Sequence, residues 1–395
     1  MNYRNRKTKM LVCGCLLMLL LGSIFSWSVF KKPLQEAFGW DDSELSWPFT
    51  ICMICFTLGN IIAARAGKKY PLRIVVWASG LIAFAGLFMA SRVTQPWQLC
   101  IAYGACMGTA VGMSYNCIVT AGNAWYADKP GTVTGVLMMA FGCGSLIFAP
   151  LDNYLLAAVG WSRTFLYLGV VFTAVAALTA SYISMPPEDY ECRAAEKSAE
   201  SGEDFTTSEM MHRTSFWLIL VWAIAIATIG YSVINQVFMI ASSIGLSDVT
   251  ASLAVSLVSV CNGLGRVISG RVYDRLGGAW EMRSMSVLLI LSSGCLIPAI
   301  ASESPALLFV GMALFGFGFG GGSPTMVNFV RSFYGSRNFS MNYSMLNFNS
   351  VAASFISQII SGYVYTVTGS YLSVILCVSV VVAVASVMSL LIKQP

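Results

Sequence analysis

Arg266 is the residue whose presence most needs a reason. It stands in Val260-Cys-Asn-Gly-Leu-Gly-Arg-Val-Ile-Ser-Gly-Arg-Val-Tyr-Asp-Arg-Leu-Gly277, inside an apolar segment that runs from about Asp248 to Arg275. A full charge near the centre of a bilayer costs about 2.5–3.5 kcal/mol on insertion scales. A guanidinium cannot escape that cost by losing its proton. Asn262 lies one helical turn earlier, on the same face, and a neutral amide supplies no counter-charge. A planar cation with five donors is suited to gripping a carboxylate in a two-point fork. The chemistry expected here is therefore anion binding. Catalysis is not expected, because His212 is the only histidine and Cys52-x-x-Cys55 is a lone pair within an apolar run. No nucleophile–base pair and no metal set is legible, and neither a metal nor a cofactor is expected.

The elements that must position Arg266 follow from composition. Of 395 residues, 57% are hydrophobic and only 10% charged, with a mean hydropathy of +0.73. A water-soluble fold has no means of hiding that much apolar surface, so the chain is expected to be an all-α polytopic membrane protein. Apolar runs long enough to cross ~30 Å of hydrocarbon recur throughout. They give twelve expected spans: 10–32, 43–64, 72–91, 96–122, 131–157, 161–185, 214–243, 248–275, 281–301, 304–331, 338–366 and 370–393. The first span follows Arg4, Arg6, Lys7 and Lys9 and is too long for a signal peptide, with no clean cleavage site after it. Most cysteines sit singly in apolar segments and are expected to pack as small hydrophobes.

The net charge of +5 is explained by topology, with no nucleic-acid partner expected. With both termini cytoplasmic, the inner side gathers the N-terminal cluster, Arg65, Lys68, Lys69, Arg73, Lys129, Arg193, Lys197, Arg213, Arg271, Arg275, Arg283, Arg331, Arg337 and Lys393, whereas the outer side holds Lys31, Lys32, Arg92 and Arg163. That asymmetry sets the orientation. The long polar stretch Pro186 to Arg213 is rich in Ser and Glu. It reads as a flexible or amphipathic cytoplasmic linker. It divides the chain into an N-terminal bundle of six helices (1–185), the linker (186–213) and a C-terminal bundle of six (214–395).

The halves echo each other. Gly270-Arg-Val-Tyr-Asp274-Arg275-Leu-Gly277 follows the eighth span, and Asn60-Ile-Ile-Ala-Ala-Arg65-Ala-Gly67-Lys-Lys69 follows the second. These loops resemble the G-x-L-A-D-R-x-G-R-K signature of the major facilitator superfamily. The resemblance implies two six-helix bundles around a central cavity, related by a pseudo-two-fold along the membrane normal. The first copy has Ala64 where the acid is expected, which weakens an acid-to-helix-dipole lock in that half.

Counting at ~1.5 Å per residue puts Arg266 ~13 Å in from Arg275. Asn347, Asn349 and Ser350 fall at a similar depth in the eleventh span, and Tyr115 and Asn116 in the fourth, while Ser23, Ser26 and Trp27 fall near the midplane. Gly22-Ser-Ile-Phe-Ser-Trp-Ser-Val-Phe30 with Gly39-Trp40, Gly112-Met-Ser-Tyr115, Phe319-Gly-Gly321 and Phe333-Tyr-Gly335 resemble the oxalate/formate antiporter family, related to the monocarboxylate transporters. In that family the arginine of the eighth helix binds the substrate carboxylate, and Asn262-x-x-x-Arg266 matches it. Oxalate carriers add a lysine in the eleventh helix, and Ser350 aligns there. Animal monocarboxylate carriers have an acid tied to proton coupling where this chain has Asn262. Asp152 and Glu36 read as interfacial or structural, which leaves proton symport open.

The resemblance implies a secondary transporter of small monocarboxylates (lactate, pyruvate or formate) working by alternating access as a monomer in the plasma or inner membrane. Its substrate shell would be Arg266, Asn262, Tyr115, Asn116, Trp27, Asn347 and Ser350, with a proton or counter-anion as second partner and membrane lipid around it. Gly270, Asp274, Arg275, Gly277, Arg65 and Gly67 would form the gating loops. Oxalate/formate exchange and a carboxylate sensor that does not transport are the competing functions. An arginine bonded to backbone carbonyls competes for Arg266, and packing roles compete for Asn262, Tyr115 and Trp27. Asn347 and Asn349, two apart on a helix, are not expected to share a face. The run Gly316-Phe-Gly-Phe-Gly-Gly-Gly322 has no preceding strand and is expected to serve close helix packing instead of a dinucleotide.

Overall fold

The computed structural model describes residues 3–187, 204–234 and 236–392. The middle of the expected linker, 188–203, and the basic residues Arg193, Lys197 and Lys393 lie outside the described residues. Twelve helical passes account for nearly everything else. They are α1 (Tyr3–Leu21, a 3-10 turn Gly22–Ser26, then Ser28–Phe38), α2 (Asp42–Lys69), α3 (Leu72–Ala90) and α4 (96–125). Next come α5 (Pro130–Gly142, continuing from Gly144), α6 (161–180), α7 (Thr214–Ile234, then Val237–Ser243) and α8 (Asp248–Leu276). The last four are α9 (Gly278–Ala301), α10 (Pro305–Tyr334), α11 (Phe339–Leu346, Asn349–Gln358 and on to Thr368) and α12 (Tyr371–Leu391). Ten of these runs are apolar and long enough to cross a membrane, and one of the ten, Pro130–Ala180, holds both α5 and α6. It turns at Gly160, whose φ of 77° and ψ of 167° only glycine adopts without strain. The chain is an all-α polytopic membrane protein, as the hydropathy implies.

Side chains facing outward are apolar. Leu178 is 74% exposed and Val380 66%, values that suit lipid and not water. The interior is built from Trp125, Phe165 and Phe172 in the first half, and from Trp222, Phe315 and Phe329 in the second.

Helices divide into two compact units, Met1–Asp128 with Ala140–Ala199, and Lys129–Met139 with Glu200–Pro395. In unit 1, α2 packs on α4 and α3 on α6; in unit 2, α8 packs on α10 and α9 on α12. The second and fourth helices of each six are drawn together by glycines. In unit 1, a Cβ on Gly108 or Gly112 would overlap the backbone of Cys52 or Phe56. In unit 2, a Cβ on Gly265 would lie 2.5 Å from the Phe317 carbonyl oxygen, and one on Gly320 would overlap the Asn262 carbonyl. The glycine run of α10 therefore seats α8 backbone to backbone. Close approach is how membrane helices gain dispersion and polar contact when apolar burial no longer discriminates.

The end of the linker is ordered. Thr206 and Glu209 form a capping box ahead of the short helix Thr207–His212. The Asn338 and Asn342 amides donate to the Phe205 carbonyl at 3.2 Å each, and the Arg337 N–H donates to Asp204 Oδ1 at 3.1 Å. Residues 204–212, the last part of the linker read as flexible or amphipathic, are thus docked on the α10–α11 connection. Docking is decided by side chains more than 130 residues away, which a local reading of polarity does not see.

Candidate functional site

Arg266 occupies the inner face of α8 in unit 2 and is half-buried. Its Nη1 donates to the backbone carbonyl of Met138, in the part of α5 that belongs to the same unit. One of its five donors thus holds α5 to α8. The two helices meet at small residues on either side. A Cβ on Gly131 would lie 2.5 Å from the Gly270 carbonyl, and one on Gly135 would overlap the Arg266 carbonyl. Below this contact the Asp274 carboxylate accepts the N–H groups of Gly131 at 2.9 Å and Thr132 at 2.8 Å, and also the Thr132 hydroxyl. A carboxylate there meets the unsatisfied donors and the positive end of the α5 dipole. Gly277, with φ of 83°, ends α8 two residues after Arg275. Gly67, two residues past Arg65, packs instead beside the Leu72 side chain.

Asn262 is buried one turn above Arg266, and its Nδ2 meets no acceptor among the described residues. Beside α8, Tyr231 of α7 shares a hydrogen bond with Ser350 of α11, and Arg266 lies within electrostatic reach of that phenol. Ser350 Oγ also donates to Asn349 Oδ1 at 3.3 Å, while Asn349 Nδ2 donates to the Ala223 carbonyl at 3.2 Å. Tyr231, Asn349 and Ser350 border a cavity of about 50 Å³ whose other polar wall is Ser323, with Trp222 and Phe319 supplying aromatic faces. The indole N–H of Trp222, fully buried, has no acceptor among the described residues. Asn347 is buried at the break in α11 and is not part of this wall. Of the pair Asn347 and Asn349, the cavity takes Asn349.

The remaining expected site residues belong to unit 1. Tyr115 packs between Phe56 and Phe141, with ring centroids at 5.2 and 5.1 Å. Asn116 is buried and accepts from the Thr120 hydroxyl at 3.5 Å. Trp27 donates its indole N–H to the Leu45 carbonyl at 2.8 Å and lies on the Tyr103 ring at 4.3 Å. That bond ties α1 to α2.

Two acids lie deep in the helices. Asp152, read as interfacial or structural, is fully buried and bonded to Ser26 at 2.6 Å. Glu281, read only as the first residue of the ninth span, is also fully buried, held by the Ser269 hydroxyl at 2.5 Å and the Asn328 amide at 3.2 Å. Glu36 is exposed and lies 4.0 Å from Lys32.

A family model described as Major Facilitator Superfamily matches residues 12–357, with a second match over 221–395. The chain belongs to that superfamily. It is therefore a membrane transporter and not an enzyme. Among relatives, an uncharacterized MFS-type transporter, YhjX, of Escherichia coli K12 is 24% identical over 87% of this chain and 85% of its own length. The oxalate:formate antiporter of Oxalobacter formigenes is 24% identical over 84% of this chain and 79% of its own. Human monocarboxylate transporter 2 is 22% identical over 91% and 79%. Among solved structures, the transporter FucP in its outward conformation superposes with a TM-score of 0.71 over 98% of this chain and 99% of its own, at 14% identity. That likeness shows the fold.

Proposed function

We propose that this transporter carries small monocarboxylates of the lactate, pyruvate or formate type by alternating access, with Arg266 holding the carboxylate and Asn262 beside it. The observation that carries this reading is a small cavity in unit 2 lined by Tyr231 and Ser350, with Arg266 within electrostatic reach of Tyr231. A permanent cation near a hydrogen-bonded pair of hydroxyls offers a carboxylate both charge and directed donors. A cavity of about 50 Å³ has room for a few water-sized groups, the scale of an acid with one to three carbons. Two relatives named above for carboxylate transport support the same class.

Ser350 argues for one carboxylate over two. A dianion on a single fixed cation keeps a charge uncompensated in a poorly solvated site, at a cost of several kcal/mol. Oxalate/formate exchange is the second reading, favoured by the 24% identity to the oxalate:formate antiporter. The asymmetry of basic residues supports both termini lying in the cytoplasm. Uptake of labelled lactate into liposomes tests the assignment. Arg266→Ala, inserted and monodisperse, should take up none; uptake at the wild-type rate refutes the role of Arg266. Labelled counterflow against lactate, formate and oxalate then separates the two readings.

A further inference from the structure

One carboxylate has no part in the site above. Asp152 Oδ2 lies 2.6 Å from Ser26 Oγ, in the 3-10 turn Gly22–Ser26 that interrupts α1. The same Ser26 oxygen lies 2.7 Å from the Ser23 carbonyl oxygen. A serine hydroxyl has a single hydrogen, while an ionised carboxylate and a carbonyl only accept. With Asp152 ionised, one of these two short contacts has no proton in it. With Asp152 protonated, both are satisfied: Oδ2–H donates to Ser26 Oγ, and Ser26 Oγ–H donates to the Ser23 carbonyl.

The surroundings agree. Asp152 Oδ1 meets no donor among the described residues. It borders a cavity of about 10 Å³, the scale of a single water. Ser23 and Ser26 of the turn and Tyr103 of α4 are the polar walls, completed by Leu87 of α3 and by Leu168 and Phe172 of α6. Among these, Tyr103 is the titratable neighbour, and its hydroxyl is turned to the Ile24 carbonyl at 3.3 Å. Cys52 lies within electrostatic reach of Tyr103. Among the described residues, no lysine, arginine or histidine lines the cavity. An ionised carboxylate enclosed this way would hold a charge with one donor and no counter-ion, which proteins avoid.

We infer that Asp152 and Ser26 form a proton-binding site in unit 1, read out by the 3-10 turn of α1, which supplies the transporter with a coupling proton. Loading moves a proton from hydronium to Asp152 Oδ2 and leaves water, with no other bond made or broken. Unloading returns it, and the Ser26 hydrogen then turns from Ser23 to Asp152. The turn packs backbone to backbone on α5, where a Cβ on Gly144 would lie 2.5 Å from Gly22 Cα. Phe25, next to Ser26, packs on Phe141 at 5.3 Å, and Phe141 packs on Tyr115. One turn of backbone thus links the proton to the aromatic cluster that holds Tyr115. The inference rests on transport by this chain and not on the choice of a monocarboxylate.

Infrared difference spectra of the purified, substrate-free protein, recorded as pH is raised, test it. The wild type should lose a C=O band of a protonated carboxyl group, and Asp152→Asn should lack that band. Ser26→Ala should shift it, since it alters the hydrogen bond without touching the carboxyl. Any band from the buried Glu281 carboxyl is common to all three proteins and cancels on comparison. A band in Asp152→Asn identical to that of the wild type overturns the proposal. So does an unshifted band in Ser26→Ala, even where Asp152→Asn does not fold. In vesicles, a pH gradient should accelerate lactate entry in the wild type but not in Asp152→Asn; equal acceleration removes the coupling role. The spectra need no substrate, so their failure leaves the monocarboxylate reading standing, and an inability to move lactate leaves the proton site standing.

Discussion

The Asp274 carboxylate accepts the backbone N–H of Gly131 at 2.9 Å, so an acid at the exit of α8 caps the start of α5. With the Thr132 N–H and hydroxyl also engaged, three donors converge on one side chain. Removing an N-cap acceptor typically costs about 0.5–2 kcal/mol. Asp274→Ala is expected to fall at the upper end of that range, with faster hydrogen exchange in the first turn of α5. Asp274→Asn should retain part of the effect. Unchanged exchange at Gly131 and Thr132 in the alanine variant would contradict the capping role.

Arg266→Lys is expected to behave much like Arg266→Ala toward substrate. A lysine keeps the charge but loses the planar two-point fork. Truncating one partner of a buried charged pair costs about 2–5 kcal/mol, which corresponds to a weakening of binding by a factor of roughly 30 to several thousand. Binding of lactate followed by thermal shift provides the check, and retention of wild-type affinity by the lysine variant would rule out a bidentate grip.

Ser350→Lys places a cation on the cavity wall beside Tyr231, in addition to Arg266 nearby. Oxalate should gain affinity relative to lactate, and the Tyr231–Ser350 hydrogen bond is lost. Competition of the two acids in the same thermal-shift assay measures the ratio. A ratio that does not move toward the dianion would separate Ser350 from charge selection.

Two glycines of unit 2 should respond oppositely to one methyl group. Gly320→Ala drives a Cβ into the Asn262 carbonyl, and overpacking of this kind costs about 1–3 kcal/mol. Gly294, within α9, has nothing within 4 Å of its would-be Cβ. Gly294→Ala is expected to be neutral or mildly stabilising, since alanine is favoured over glycine in helices by up to about 1 kcal/mol. Thermal midpoints in detergent that fail to separate the two would undo the backbone-contact account of α8 and α10.

The short helix Thr207–His212 should loosen at low pH. Hydrogen bonds from the Thr206 N–H and hydroxyl to Glu209 hold this carboxyl below its usual value. A depressed value means that the ionised form stabilises the cap at neutral pH, and that this contribution is lost as pH falls through the folded-state value. Amide exchange across 206–212, measured with falling pH, should rise in the wild type and be flat in Glu209→Gln. A pH-independent wild type would show that the carboxylate does not hold the cap.

The sequence by itself determined the class of the molecule, because hydropathy is additive along the chain and a bilayer imposes one length on every apolar run. Twelve passes, the repeated loops at Gly67 and Gly277, and an arginine too deep to be incidental all follow from local composition and spacing. The glycine run of α10 was legible for the same reason, since only close packing uses that composition. Tertiary structure alone decided which faces those helices present. It bonded Trp27 to Leu45, chose Asn349 over Asn347 for the cavity, and brought Tyr231 to Ser350. It also buried Asp152 against Ser26 and Glu281 against Ser269 and Asn328, pairings separated by 126, 12 and 47 residues. Depth is a sum over neighbours in sequence, but a partner is set by helix rotation, which depends on every contact in the bundle at once.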